Sequence, residues 1–276
     1  MSSPTLRIGI MPYLLGRPLL RGLIADGPPD VEVVQAVPSS IGQSLIEGQL
    51  DAALGPIAMT LAHPELRVIP GLGVACDGPV ASIKLFHRVP LADLRRVALD
   101  TSSRSSALLA KIILQRFEGA SPEFVTAPPD LEAMLAVADG ALLIGDNALV
   151  AELRPPEGGL PPWQDLGERW KRETGLGFVF AMWAYRSDLD RGRARRLAEV
   201  LYASLARGEA DMERVADEDG RVRGIPREMA YRYLTENIRY RLQEVNLAGL
   251  ARYVELAVEL GLLPEDTVVP EGARMA

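Results

Sequence analysis

Arg96-Val97-Ala98-Leu99-Asp100-Thr101-Ser102-Ser103-Arg104-Ser105-Ser106-Ala107-Leu108-Leu109-Ala110 contains a strand, a hydroxyl-rich turn and the start of a helix in one run. Val97 to Leu99 is a short apolar stretch of the kind a buried strand shows. Apolar residues then recur at Leu108, Leu109, Ile112, Ile113 and Phe117, the spacing of one helix face. The pattern continues with a strand at Glu123-Phe124-Val125, a helix from Leu131 to Val137 and a strand at Ala141-Leu142-Leu143-Ile144-Gly145. Strands joined by helices at this spacing predict βαβ units and a largely parallel sheet.

The same alternation holds upstream. Leu6 to Met11 reads as a strand ended by Pro12, and Leu19 to Ala25 as a helix after Pro18. Val31 to Val34 is a strand. A helix follows from the cap at Pro38-Ser39-Ser40 to Glu47, ended by Gly48, and then comes a strand and turn at Asp51 to Pro56. Downstream, Arg154 to Pro162 holds four prolines and two glycines and reads as a loop. Phe178 to Ala184 is the most hydrophobic strand. From Arg191 to Leu260 the chain reads as almost wholly helical, with boundaries near Gly208, Gly220 and Pro226. Two α/β blocks, about residues 1–85 and 95–180, therefore precede a helical tail. A chain that leaves its first block and returns through a buried strand predicts two lobes with a ligand cleft between them.

Composition removes several function classes. The chain has 276 residues, 48% of them hydrophobic and 24% charged, which is ordinary globular composition. Cys76 is the one cysteine, and His63 and His87 are the two histidines. An internal disulfide, a multi-cysteine zinc site and a three-histidine metal site are arithmetically impossible. The net charge of −7 argues against a broad nucleic-acid footprint but leaves room for a local anion site. The apolar stretch Ile8 to Gly16 is short for a signal peptide, is interrupted by Pro12, and is followed by no small-x-small cleavage site. No run approaches a membrane-spanning length. The expectation is a cytoplasmic protein.

Four segments could carry chemistry. In 99–108, Thr101, Ser102, Ser103, Ser105 and Ser106 surround a helix start, with Arg104 among them. Helix-start amides are unsatisfied donors that favour negative charge, and an arginine fork suits a carboxylate. Serines also cap helices routinely, but five hydroxyls exceed what a cap requires. In the second segment, Gly145 ends a strand and Asp146 and Asn147 open the next helix. Asp146 could face a ligand or simply cap. In the third, Cys76 to Leu85 is a turn into a strand, with Ser82 where a polar contact would be useful and Cys76 read as a small buried hydrophobe. In the fourth, Tyr13 to Leu19 places Arg17 just before a helix, facing the cleft or solvent. His63 and His87 show no partner pattern.

Ordered segments along the chain then resemble a known family. They are Arg7-Ile8-Gly9 with Tyr13-Leu14 and Pro18-Leu19, Gly48-x-Leu50-Asp51-Ala52, and Pro70-Gly71-Leu72-Gly73-Val74. Next are Gly78-Pro79-Val80-x-Ser82-x-Lys84-Leu85-Phe86, Val97-Ala98-Leu99-Asp100-x-Ser102-Ser103-Arg104-x-Ser106 and Leu143-Ile144-Gly145-Asp146. Last are Asp165-Leu166-Gly167-x-x-Trp170, Thr174-Gly175-Leu176 and Phe178-Val179-Phe180-Ala181-x-Trp183. The set resembles the chorismate dehydratases of the futalosine route to menaquinone.

The resemblance implies a two-lobed, type II periplasmic-binding-protein-like α/β fold. Each lobe would be a mostly parallel sheet flanked by helices, with a helical C-terminal tail. Lobe 1 would be 1–88 and 182–276, lobe 2 would be 89–181, and the ligand would sit between them. It implies a hydro-lyase acting on chorismate without cofactor or metal, with no nucleic-acid or membrane partner, and it admits a homodimer. Ser82 and Asp146 are the catalytic candidates. Arg17, Ser82, Ser102, Ser103, Arg104, Ser105, Ser106, Gly145 and Asn147 are the substrate-binding candidates.

The chain departs from the family pattern at two places. Leu15 stands where the family has asparagine, and Gly177 where it has proline. Rival readings are a transporter's solute-binding protein, which wants a leader or lipid anchor, and 1,4-dihydroxy-6-naphthoate synthase, in which a histidine is expected to act. A third, a ligand-sensing domain, would want a DNA-binding module.

Overall fold

The computed structural model describes residues 5–25, 27–36 and 38–273. The chain forms two compact units. Unit 1 is Met1–Ala75, Val179–Gln243 and Val269–Ala276; unit 2 is Cys76–Phe178 and Glu244–Val268.

Chain order begins in unit 1 with β1 (Leu6–Ile10), α1 (Arg17–Ala25), β2 (Val31–Gln35), α2 (Pro38–Ile46), β3 (Ala52–Pro56), α3 (Ile57–Ala62) and β4 (Leu66–Cys76). The side chains of Pro38 and Ser39, part of the expected cap of α2, lie outside the described residues. Unit 2 follows with β5 (Ile83–His87), β6 (Arg96–Asp100), α4 (Ser105–Ile112), β7 (Glu123–Ala127), α5 (Leu131–Val137), β8 (Gly140–Ile144), α6 (Gly145–Val150), β9 (Trp163–Asp165) and α7 (Leu166–Thr174). The chain returns to unit 1 with β10 (Phe178–Arg186), α8 (Arg191–Ala210), α9 (Met212–Val222), α10 (Arg227–Arg232) and β11 (Arg239–Arg241). The last helix, α11 (Glu244–Glu259), belongs to unit 2.

In unit 1 the described strands run in the order β11-β4-β10-β3-β1-β2. β1 pairs parallel with β2 and β3, and β10 pairs antiparallel with β3. In unit 2 the order is β7-β6-β8-β5-β9. β6 pairs parallel with β7 and β8, while β5 runs antiparallel to β8 and β9. Each sheet thus holds a parallel trio joined to a strand that runs against it, β10 in unit 1 and β5 in unit 2. That is a more mixed pairing than periodicity alone predicts, because strand direction leaves no trace in an apolar run.

Two sequence expectations are corrected. The first crossing falls at Ala75–Cys76 rather than after 88, because β5 pairs with β8 over its whole length, Ile83 opposite Ile144 and His87 opposite Gly140. The second falls after Phe178, and α11 of the tail belongs to unit 2. The boundary expected near Gly208 falls at Asp211, between α8 and α9. α8 runs through Gly208 to Ala210, and a Cβ at Gly208 would collide with the backbone of Pro18, so glycine lets α8 and α1 approach closely.

α11 is anchored in unit 2 by aromatic packing. Trp170, Phe178 and Tyr253 are fully buried and meet edge to face at 5.0–6.5 Å between ring centroids. Such pairs each add about 0.5–1.5 kcal/mol beyond their burial. The Tyr253 hydroxyl donates to the Ser105 carbonyl at 3.1 Å, tying α11 to the first turn of α4. Among the described residues, no helix is long and apolar enough to cross a membrane.

Candidate active site

The pairing of unit 2 gathers four chain segments at one edge of its sheet. β6, β8 and β9 run in the same direction and end there at Asp100, Ile144 and Asp165. β5 runs the other way and begins there, so the turn that precedes it, Gly78 to Ser82, lies at the same edge. The carboxyl ends of parallel strands are where α/β proteins place ligands.

Ser82 sits in a tightly specified turn. Its own N–H donates to the Val80 carbonyl at 2.8 Å, closing a three-residue turn around Ala81. Ala81 has φ 63°, the one positive φ on a described residue other than glycine. An L-residue in that region costs of order 1–3 kcal/mol. Asp165 holds the turn. Its carboxylate accepts from the N–H of Val80 at 3.1 Å and of Ala81 at 2.7 Å, and it caps α7 by accepting from Glu168 N–H at 2.9 Å. Asp165 is buried, and burial raises its pKa against the opposing pull of these backbone donors. Gly167 allows the contact: a Cβ there would lie 2.7 Å from both Cys76 Sγ and the Gly78 carbonyl. Asn246 of α11 donates to the Cys76 carbonyl at 3.0 Å, and Lys171 pairs with Asp77 at 2.6 Å.

The Ser82 carbonyl accepts from Gly145 N–H at 2.8 Å, which joins this turn to the start of α6. Gly145 has φ 62°, so only glycine makes that strand-to-helix corner cheaply. The residue capping α6 is Ile144, with no side-chain bond. Asp146 lies one step inside, partly buried in the first turn, and Asn147 is exposed.

The serine turn is organised by Asp100. One carboxylate oxygen accepts from Ser102 N–H at 2.8 Å and Ser102 Oγ at 2.6 Å, and Ser103 N–H donates to the Asp100 carbonyl at 2.8 Å. This is the local Asx geometry that lets the backbone leave a strand sharply. The residue at the cap of α4 is Arg104, whose side chain makes no capping bond and is exposed. Ser103, Ser105 and Ser106 are buried. Ser103 Oγ and the second Asp100 oxygen, both buried, have no hydrogen-bond partner among the described residues.

Arg17 belongs to unit 1. Its Nε lies 2.6 Å from Asp219, and Arg223 approaches the same carboxylate at 3.6 Å. Arg17, a substrate-binding candidate, thus has a carboxylate partner within its own unit.

The sequence profile of a menaquinone biosynthesis family matches residues 6–259. The chain belongs to the menaquinone biosynthesis family. Within it, the chain is 33% identical to the chorismate dehydratase of Thermus thermophilus, over 88% of this chain and 94% of that enzyme. It is 28% identical to the chorismate dehydratase of Campylobacter jejuni over 61% of this chain and 58% of that one. Among solved structures, a protein of Archaeoglobus fulgidus superposes with a TM-score of 0.79 at 19% identity, covering 95% of this chain and all of that one. The periplasmic aliphatic sulphonate binding protein of Escherichia coli superposes at 0.66 with 20% identity, covering 100% and 93%. The fold of this menaquinone-biosynthesis family member is therefore that of the periplasmic binding proteins.

Unit 2 brings together Ser82, the 102–106 turn and Gly145 to Asn147 at one sheet edge. Arg17 lies in the other unit, as does Leu15, which is half-buried in the turn before α1. Sequence reasoning missed Asp165. The residue stands in the motif Asp165-Leu166-Gly167, and an aspartate before a helix reads as an ordinary N-cap. Its second role depends on β9 pairing beside β5, which no local pattern reports. His63 pairs with Glu65 at 3.0 Å and His87 Nδ1 with the Val89 carbonyl oxygen at 2.9 Å. Among the described residues no group of three or more His, Cys, Asp or Glu is arranged to hold a metal ion.

Proposed function

We propose that this chain is a chorismate dehydratase, a hydro-lyase that removes water from chorismate to give 3-[(1-carboxyvinyl)oxy]benzoate. The observation that carries the reading is the 33% identity to the Thermus thermophilus enzyme along 88% of this chain. The chemistry at the edge of unit 2 supports it.

Chorismate carries two carboxylates and so needs sites for negative charge. The first turn of α4 offers helix-start amides, the positive end of the helix dipole and the hydroxyls of Ser102, Ser103, Ser105 and Ser106, with Arg104 alongside. Gly145 and Asn147 line the neighbouring corner. The reaction removes a ring proton and the hydroxyl from the adjacent carbon, which leave together as one water, and the ring becomes aromatic. Aromatisation supplies much of the driving force, so the protein's task is to hold one reactive geometry, a proximity effect. In this reading the substrate's own enolpyruvyl carboxylate takes the ring proton, and Ser82 with the serine turn holds that carboxylate in place. Asp146 is the alternative base on the protein.

The test is to incubate the purified chain with chorismate and follow the mass. A product lighter by one water supports the dehydratase; chorismate that binds tightly and stays unchanged overturns it in favour of a binding protein. Asp146→Asn then assigns the base. A kcat within about tenfold of the parent gives the proton to the substrate carboxylate, because a positioned general base contributes about 10²–10⁴-fold.

A further inference from the structure

We propose that Asp165 is a positioning residue for Ser82, acting through the backbone of Val80 and Ala81. The inference rests on the reading of Ser82 as a substrate contact and adds a group that does not itself touch substrate. Three observations meet here. Ala81 occupies a backbone region that L-residues avoid, and the turn it forms ends on Ser82. The two amides flanking the Val80–Ala81 step both donate to a single carboxylate. That carboxylate is fixed in turn, because it caps α7 and is pressed against the turn by the absence of a side chain at Gly167.

A helix cap alone needs one oxygen and one amide. Asp165 takes two further amides from a segment more than 80 residues away, at 84 and 85 positions' separation. Charge-assisted bonds of this kind are about twice as strong as neutral ones, enough to offset the strain at Ala81. Releasing the clamp allows Ala81 to relax toward negative φ, which swings the following residue, Ser82, and loosens its carbonyl from Gly145. Strain held by surrounding structure is a recurring device for pre-setting a catalytic group.

The experiment is steady-state kinetics with chorismate on the full chain and on Asp165→Ser, Asp165→Asn, Ala81→Gly and the double variant Asp165→Asn with Ala81→Gly. Serine keeps the α7 cap but is too short to reach both turn amides. Asparagine keeps the shape but presents an N–H₂ to one of them. The expected result is a loss of kcat/KM of at least about tenfold for Asp165→Ser and Asp165→Asn, carried by kcat. The penalty of Asp165→Asn should shrink at least about threefold when residue 81 is glycine, because glycine reaches positive φ without the clamp. A purely structural cap would lower Tm and show no coupling to residue 81. Values of kcat/KM within threefold of the parent, or additive effects in the cycle, overturn the proposal. Should Asp165→Ser fail to fold, the asparagine cycle decides the matter alone. If the parent chain turns over no chorismate, the functional reading falls by itself. The clamp is then tested by hydrogen exchange at the Val80 and Ala81 amides, where unchanged rates in Asp165→Asn overturn it and faster exchange supports it.

Discussion

The two turns at the edge of the unit 2 sheet are built on opposite plans. In the turn that carries Ser82, the amides of Val80, Ala81 and Ser82 are all engaged, and the backbone is held in a costly conformation. In the serine turn no residue has a positive φ and the backbone folds around one Asp100 oxygen, yet the second Asp100 oxygen and Ser103 Oγ are buried without a partner among the described residues. A buried polar group without a partner costs about 1–3 kcal/mol. The first turn therefore uses its hydrogen bonds to fix one side chain, whereas the second keeps a donor and an acceptor uncommitted. Of these two, Ser103 Oγ can donate to a ligand carboxylate, whereas the Asp100 oxygen only accepts and suits a ligand hydroxyl rather than a ligand's negative charge.

Substitutions in each turn can break this contrast. The largest expected effect is from Ser82→Ala. If the rigid turn exists to present the hydroxyl to a carboxylate, kcat/KM should fall by about 10–150-fold, the worth of one hydrogen bond to a charged group. A Tm within about 2 °C of the parent should accompany it, and a change in kcat/KM below threefold would mean that the turn is rigid for some other reason.

Gly167→Ala attacks the same turn from behind. The new Cβ would press on Cys76 Sγ, the Gly78 carbonyl and Val80 Cβ. Overpacking of this kind costs about 1–3 kcal/mol, and at about 2–4 °C per kcal/mol for a chain of this size the thermal midpoint should drop by several degrees. Calorimetry checks it; an unchanged midpoint would show that α7 can retreat freely and that the clamp is soft.

Ser103→Ala probes the other turn, where the opposite pattern is expected. Removing a hydroxyl that has no partner among the described residues should leave Tm unchanged or slightly raised, while kcat/KM falls several-fold through KM. A loss of stability with unaltered kinetics would make the serine turn a structural cap.

Cys76→Ser or a thiol reagent should do least. Burial first, and then the Asp165 charge, push the Cys76 thiol up to about 12. The neutral form is the one the fold favours. Its contribution to stability is therefore present below the ordinary thiol value near 9 and is lost only as pH rises from there toward 12. At pH 8 a disulfide reagent should label Cys76 only as fast as the protein opens, with activity surviving in the folded fraction. Rapid labelling in the folded state would mean that the turn beside it breathes.

Much of unit 2 is legible along the chain. The strand at Val97 to Leu99, the helix face from Leu108 to Phe117 and the glycine at 145 follow from period and local chemistry, and the structure has each of them. Three short or unusual strands are not legible. Trp163–Asp165 and Arg239–Arg241 are too short to show a period, and Leu66–Cys76 is broken by Pro70, Gly71 and Gly73. The partner of Arg17 is hidden for a related reason: Asp219 is some two hundred positions away and pairs with it only once the tail packs on unit 1.

The sequence by itself determined the alternation of strand and helix, the hydroxyl-rich helix start, the scarcity of imidazole and thiol, and the family resemblance, because these are properties of neighbouring residues or of residue counts. Tertiary structure alone decided that β5 runs against its neighbours. That reversal is what carries Ser82 to the edge where β6, β8 and β9 end, and sets the Asp165 carboxylate under the amides of Val80 and Ala81. Strand direction and cross-strand neighbours are settled by the closing of a sheet over long sequence separations, and no window of the chain records them.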